Sequence, residues 1–370
     1  MSQELSKAKT KTSTEKFECT SCGGDMIFNP KTQSLSCLYC GNKVEIEQKD
    51  DIIQEYDINS SIDEDSSDWG SETRVIHCND CGAETVMKEN SVAQFCAFCG
   101  SSHIIKQDEI PGIKPESLIP FKITRKEAKG LFSKWLKGKF YAPKKAKSNN
   151  KMDRLLGVYI PYWTYDSDTH SNYSAERGTY YYVNETHVVY RDGERKEVTR
   201  RVRKTRWRHV SGSYDLYFDD LLVNASQHVD SKIIEEIEPF NLEELEHYEP
   251  EYLSGFTAER YAVELEEGWE AAKQAIHPEI YKRVVREIGG DTVRNVRIDT
   301  NFNSILFKHI LLPVWMSSFK YKEKVYRFMI NGQTGEVQGE SPVSALKIIL
   351  TILIVLCIAA GGFWFIQNGR

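Results

Sequence analysis

Eight of the nine cysteines fall within the first 99 residues, and their spacing is written twice. Cys19, Cys22, Cys37 and Cys40 recur 59 residues later as Cys78, Cys81, Cys96 and Cys99, with two residues inside each pair and fourteen between pairs in both copies. A two-residue gap lets one tight turn aim both sulfurs at a single ion. The glycine behind each second cysteine (Gly23, Gly41, Gly82, Gly100) tolerates the positive φ that swings the following amides toward the thiolates. Four such turns make two four-sulfur sites, and the pattern predicts two structural Zn²⁺ ions. A complete thiolate shell has no open position for water, so the expected role is structural rather than catalytic. His77 and His103 flank the second set and are left without a ligand role for the same reason. A disulfide framework would need an oxidising compartment, and the N-terminus MSQELSKAKTKTSTEKF has no apolar run of the secretory kind. A redox CxxC pair would use one motif, not four. Spacing alone leaves open whether each set closes on itself or exchanges turns with the other.

The elements that must carry these turns are short hairpins. Met26-Ile27-Phe28 and Thr85-Val86-Met87 start strands that break at Asn29-Pro30 and Glu89-Asn90. Zinc ribbons are common in nucleic-acid machinery, but residues 1–110 carry twenty acidic against ten basic side chains, and each four-thiolate zinc adds further negative charge. Between Lys49 and Glu72 there are nine acids and one lysine. Such a tract is a solvated spacer that repels phosphate and would give the ribbons reach.

The middle of the chain, about Ile110 to Glu340, opens with a helix. Thr124 and Glu127 form a capping-box pattern, and Ala128, Leu131, Phe132, Trp135 and Leu136 share a face. Lys122 to Lys151 holds eleven basic residues and one acid, a solvated face or a surface for anionic headgroups or phosphates. Gly157 to Ala225 is strand-rich, with turns expected at Arg177-Gly178 and Asp192-Gly193. Within it, Arg191 to Arg208 has nine basic residues against three acids, on both faces of an extended strand, which implies an edge or a protruding hairpin. The acidic segment Asp230 to Glu251 is its expected internal counterpart, with headgroups as the other anionic partner. Glu264 to Ile288 has helical spacing up to Gly289-Gly290, with Pro278 expected to split it in two. Strands are expected around Thr292–Thr300, Ile305–Tyr321 and Lys324–Ile330, followed by a turn from Asn331-Gly332 to Gly335. Tyr159-Ile160-Pro161-Tyr162-Trp163 resembles Leu311-Leu312-Pro313-Val314-Trp315, a hint of two halves.

From Ile348 to Ile366, nineteen residues carry no charge and only Thr351 has a polar side chain. At about 1.5 Å per residue this crosses a hydrocarbon core of roughly 30 Å. The expectation is a tail-anchored protein of the cell membrane. Its reduced cysteines place residues 1 to about 345 in the cytosol, where the sequons at Asn172, Asn184 and Asn224 are irrelevant. The expected organisation is a disordered stretch over 1–17, ribbons over 18–47 and 74–107 joined by an acidic linker over 48–73, an α+β domain over 111–340, and a transmembrane helix over 348–366. The fold class is α+β: two small β modules, a mixed β-rich middle and one terminal helix.

There is no GxxxxGK[ST] loop, HExxH, GxSxG or GxGxxG turn, and no nucleophile with a base in register, so no enzyme is expected. Asp166-Ser167-Asp168-Thr169-His170 gathers two carboxylates and an imidazole on one side of a strand, which fits a polar strand end better than a metal site. Cys357 lies inside the span and cannot join the ribbons. The doubled CxxCG ribbon, the phrases GVYIPYWTYDSDTH, VRKTRWRHVSG, FDDLLV, AERYAVELEEGWE and LPVWMSSFKYKEKVYRFMINGQTGEVQGE, and the terminal span resemble the YdjG-type family of bacterial membrane proteins, from Cys19 to the end. Members carry labels such as TFIIB-type zinc ribbon or primosomal helicase-like, and the helicase label finds no nucleotide-binding loop here. The resemblance implies flotillin-like and phage-shock-type membrane proteins as neighbours and adds no catalytic residue. The expected function is a membrane-anchored, cytosol-facing zinc-ribbon adaptor or scaffold that recruits protein partners. The alternative is a membrane-tethered nucleic-acid binder using residues 122–151 and 191–208.

Overall fold

The computed structural model describes residues 17–48, 51–60, 73–88, 96–99, 101–102, 104–107, 112–148, 155–191, 194–321 and 324–368. In chain order the strands are β1 (Met26–Asn29), β2 (Ser34–Cys37), β3 (Lys43–Glu45), β4 (Tyr56–Asp57), β5 (Thr73–Cys78), β6 (Glu84–Lys88), β7 (Ile104–Gln107) and β8 (Ser117–Leu118). Helices α1 (Arg125–Gly138) and α2 (Lys144–Ser148) lead to β9 (Leu156–Arg191) and β10 (Glu194–Asn224). Then come α3 (Ser231–Glu236), β11 (Glu246–His247), β12 (Thr257–Glu259), α4 (Leu265–Ile288), β13 (Thr292–Tyr321), β14 (Lys324–Asn331), β15 (Val337–Gly339) and α5 (Ala345–Asn368). The chain is α+β, with two four-cysteine clusters near its N-terminus and one apolar C-terminal helix.

Three very long antiparallel strands form the spine: β9 lies between β10 and β13. A strand of thirty residues can stay in register with a twisted neighbour only if its phase is reset, and each reset here is a bulge. Pairing slips between Phe218 and Leu221, between Arg294 and Arg297, and between Asn303 and Leu306. Each slip contains one left-handed residue: Asp220 (φ 47°), Asn295 (φ 53°) and Ser304 (φ 51°). The break expected between Thr300 and Ile305 is therefore a bulge within one strand. The turn expected at Arg177-Gly178 is also absent, because β9 runs straight through. A Cβ at Gly178 would stand 2.6 Å from the Thr292 methyl and 2.7 Å from the Thr205 methyl, so glycine lets three strands close over this point. The two similar Pro-and-Trp segments are antiparallel neighbours, with Pro161 opposite Leu311 and Tyr159 opposite Pro313.

Helix α4 lies across this spine. Its buried stripe of Trp269, Ala272, Ile276, Ile280, Val284 and Ile288 repeats at helical spacing and packs with Trp163, Tyr165 and Phe307. Trp163 Nε1 donates to the Val263 carbonyl at 2.9 Å and Tyr165 Oη to that of Leu265 at 2.7 Å. Pro278 does not split the helix, because the stripe is buried on both sides of it and holds the two turns in line. Gly289 ends it at φ 66°. At the other end of the spine, α1 carries the predicted capping box, Phe132 stacks on Phe328, and Trp315 Nε1 donates to Ile123 O.

Neither ribbon hangs free. In the first, the Phe28 N–H donates to Ser254 O at 2.9 Å, Ser254 Oγ to Met26 O at 2.6 Å and Gln33 Nε2 to Phe121 O at 2.9 Å, while Lys31 pairs with Glu127. In the second, β6 pairs with β12, which places β5, β6 and β7 in the same sheet as the spine. The described part of the acidic tract is docked as well, with β4 paired to Leu306 and Phe307 of β13. The expectation that this tract gives the ribbons reach therefore fails: backbone pairing ties both to the body. Helix α5 stands out exposed and is long and apolar enough to cross a membrane.

Candidate metal centres

Within each cluster every pair of sulfurs lies within 4.8 Å. Cys19 faces Cys40 at 3.3 Å and Cys22 faces Cys37 at 3.5 Å; in the second set, Cys78–Cys99 and Cys81–Cys96 are both 3.6 Å apart. A tetrahedral ion with metal–sulfur bonds of about 2.3 Å sets sulfurs about 3.8 Å apart, so the cages have the dimensions of a four-thiolate Zn²⁺ site. A disulfide would require about 2.05 Å, and all eight thiols are free. Each set closes on itself, with no exchange of turns.

The turns achieve this as the spacing predicts. The Gly23 N–H returns to Cys19 O at 2.8 Å and that of Gly82 to Cys78 O at 2.8 Å, with φ of 71° and 79°. Burial pushes the Cys19 thiol up. The amides of Ser21 and Cys22 and the neighbouring Cys40 thiol outweigh it and bring Cys19 down to about 6. At Cys78 burial is again opposed, by amides at Cys81 and Asp80, and the net direction is down. In each cage the surroundings favour the thiolate at the first cysteine, Cys19 or Cys78, more than at an ordinary thiol. His77 Nδ1 lies 3.7 Å from Glu84 Oε1 and belongs to neither cage, while His103 and Gly100 lie outside the described residues.

The second cage has a support that the sequence did not reveal. His228 Nδ1 sits 2.7 Å from Glu259 Oε1, and the same oxygen accepts from Ser226 Oγ at 2.8 Å. Glu259 is fully buried at the end of β12. Its hydrogen bond raises the imidazole's pKa, and the ring also faces the Cys81 backbone carbonyl. The pair braces the metal turn against the spine. The two residues are far apart in the chain and share no ligand-type motif, so no spacing marked them.

A third cluster, this one acidic, joins Glu55, Asp166 and Asp220. Its centre is held by a cation of the chain itself: Lys308 Nζ lies 2.8 Å from Glu55 Oε1 and 2.7 Å from Asp220 Oδ1. Asp166 accepts the Asp220 N–H at 2.8 Å and the Tyr217 hydroxyl at 3.3 Å. Burial, with Glu55 and Asp220 alongside, pushes Asp166 up to about 6. Asp166, Asp168 and His170, read from the sequence as a polar strand end rather than a metal site, do not converge on one point. Asp166 is buried, Asp168 is exposed, and His170 pairs with Asp215.

Beyond Gly178, where β13 begins its pairing, β9 and β10 continue as a two-stranded arm with no third strand among the described residues. This is the protruding hairpin expected from basic residues on both faces; its tip at Asp192-Gly193 lies outside the described residues. The guanidinium groups of Arg201, Arg203 and Arg206 lie over the rings of Tyr182, Tyr180 and Tyr181 at 4.3, 4.2 and 5.5 Å, and Lys204 pairs with Glu185 at 2.6 Å. The acidic segment 230–251 is not its counterpart. That segment follows the far end of β10, and its Glu244 pairs with Lys122 instead.

The chain is 30% identical over 365 residues to a Bacillus subtilis (strain 168) protein described as uncharacterized protein YdjG, and the alignment covers 94% of this chain and 99% of that protein. No protein-family model and no solved structure matches the chain.

Proposed function

From the premise that the chain belongs to the YdjG family of double zinc-ribbon proteins, we propose that it is a membrane-anchored scaffold, facing the cytosol, that holds protein partners and catalyses no reaction. Two closed thiolate cages supply rigidity, since four protein ligands leave no position for a reacting water. Eight reduced thiols suit a cytosolic location, and α5 supplies the anchor.

The observation that carries the reading is the arm. Among the described residues β10 pairs with β9 alone, so its outer edge offers free backbone groups along the ribbon. Tyr181, Tyr182, Val188 and Val189 are exposed beside arginines, the mixture that protein interfaces favour. An added strand from a partner would find hydrogen bonds on the edge and specificity in these side chains. The neighbours implied by the resemblance, flotillin-like and phage-shock-type proteins, are membrane-associated candidates for such a partner.

The stacked arginines and tyrosines also favour a second reading, in which the arm and residues 122–151 hold nucleic acid at the membrane. Tagged full-length protein purified from detergent-solubilised membranes, with and without nuclease, separates the two. The scaffold reading expects protein partners that survive nuclease and are lost from the Arg201→Glu/Arg203→Glu/Arg206→Glu variant. Nucleic acid as the main companion, with proteins released by nuclease, would transfer the assignment to the second reading.

A further inference from the structure

We propose that the end of α1, the loop after it and α2 form a collar at the foot of α5 that binds the headgroups of anionic lipids. Three observations converge on this loop. First, it is bonded to the start of α5: the Ser344 N–H donates to Tyr141 O at 2.9 Å, and Lys347 Nζ donates to Phe140 O at 2.7 Å and to Ala142 O at 2.9 Å. The loop therefore stays at the level where the apolar helix begins. Second, it is cationic. Lys134, Lys137, Lys144 and Lys145 are exposed around it, Lys139 and Lys147 are half-buried, and the segment from 122 to 151 carries eleven basic residues and one acid. Third, it has an apolar rim on the α5 side. Phe140 is 68% exposed, and Val343 and Leu346 are 61% and 78% exposed, next to the half-exposed Tyr141.

Exposed apolar side chains beside several lysines suit one partner better than the others. Aromatic rings settle at the headgroup level of a bilayer, and lysines nearby meet the phosphates of an anionic leaflet. Nucleic acid would satisfy the ammonium groups but leave Phe140, Val343 and Leu346 in water. A lipid surface satisfies both and continues the environment that α5 requires.

The inference rests on α5 spanning a bilayer, and the test keeps the two ideas apart. Full-length protein is placed in nanodiscs of phosphatidylcholine alone or mixed with phosphatidylglycerol, and amide hydrogen exchange is followed by mass spectrometry. The collar predicts that amides between Lys137 and Lys147 exchange about tenfold more slowly in the mixed discs. It also predicts no difference for the Lys134→Glu/Lys137→Glu/Lys144→Glu/Lys145→Glu variant, with β9–β13 protection confirming its fold. Equal exchange in both discs would overturn the proposal. So would slowing in phosphatidylcholine discs on adding inorganic phosphate or an oligonucleotide alone, because the site would then belong to a soluble anion. Failure of the chain to enter either disc would overturn the membrane reading itself, and the collar with it.

Discussion

With carboxylate oxygens of Glu55 and Asp220 at 2.8 and 2.7 Å, the Lys308 ammonium compensates negative charge that burial would otherwise expel. Removing one partner of a buried ionic cluster leaves the others uncompensated. Lys308→Met is therefore expected to lower unfolding free energy by about 3 kcal/mol or more, measured by chemical denaturation of the full chain in detergent. Asp166 gives a signed pH dependence. Its folded pKa, about 6, lies above the ordinary value, so its ionisation opposes folding above pH 6, and the penalty fades as pH falls through 6 toward 4. Asp166→Asn should be more stable than the parent at pH 7.5, and the gap should shrink on acidification; melting curves across that range would show a constant gap if the carboxyl were unperturbed. None of this was legible in the sequence. Glu55, Asp220 and Lys308 are far apart in the chain, and only the bulge at Asp220 and the pairing of β4 with β13 bring them together.

Among the elements, α1 was readable because its signals are local. Thr124 caps the helix and Glu127 answers it within one turn. Thr124→Ala should cost about 1 kcal/mol in chemical denaturation. Helix α4 was readable in extent but not in continuity, since propensity at Pro278 says break while the buried stripe on either side says continue. Packing wins. Position 278 is exposed, so Pro278→Ala should raise stability by about 1 kcal/mol or more, and a fall would mean that the proline is adapted to its site. The long strands were misread at the residues that make them possible. Gly178 and Ser304 look like punctuation in sequence, yet one admits close strand approach and the other sets a bulge.

At the scale of the whole molecule, the eight cysteines were fully legible and their attachment was not. The contacts that fuse the ribbons to the body, such as Val86 opposite Ala258 and Phe28 N–H on Ser254 O, are backbone pairings without side-chain signature. They make metal loss more than a local event. Each site is expected to contribute on the order of 10 kcal/mol of coupled folding free energy. A chelator should therefore raise hydrogen exchange in β5, β6 and β12 together while leaving the β9–β10 arm protected; loss confined to the cysteine turns would show that β12 holds without the ribbon. The length of the spine bears on electrostatics too. Phe132 of α1, whose following loop is bonded to the foot of α5, stacks on Phe328, which pairs with Ser317 beside the start of β9; Arg191 ends β9 on the order of 100 Å of strand path further on. Charge is felt over only about 8 Å at physiological ionic strength. The two lysine- and arginine-rich surfaces are thus electrically deaf to each other, so that on the proposed readings a change of lipid at one or charge reversal at either is expected to leave binding at the other unchanged. On the proposed reading, the β-spine would work as a yardstick, setting the length of strand between a partner on the arm and the point where α5 begins.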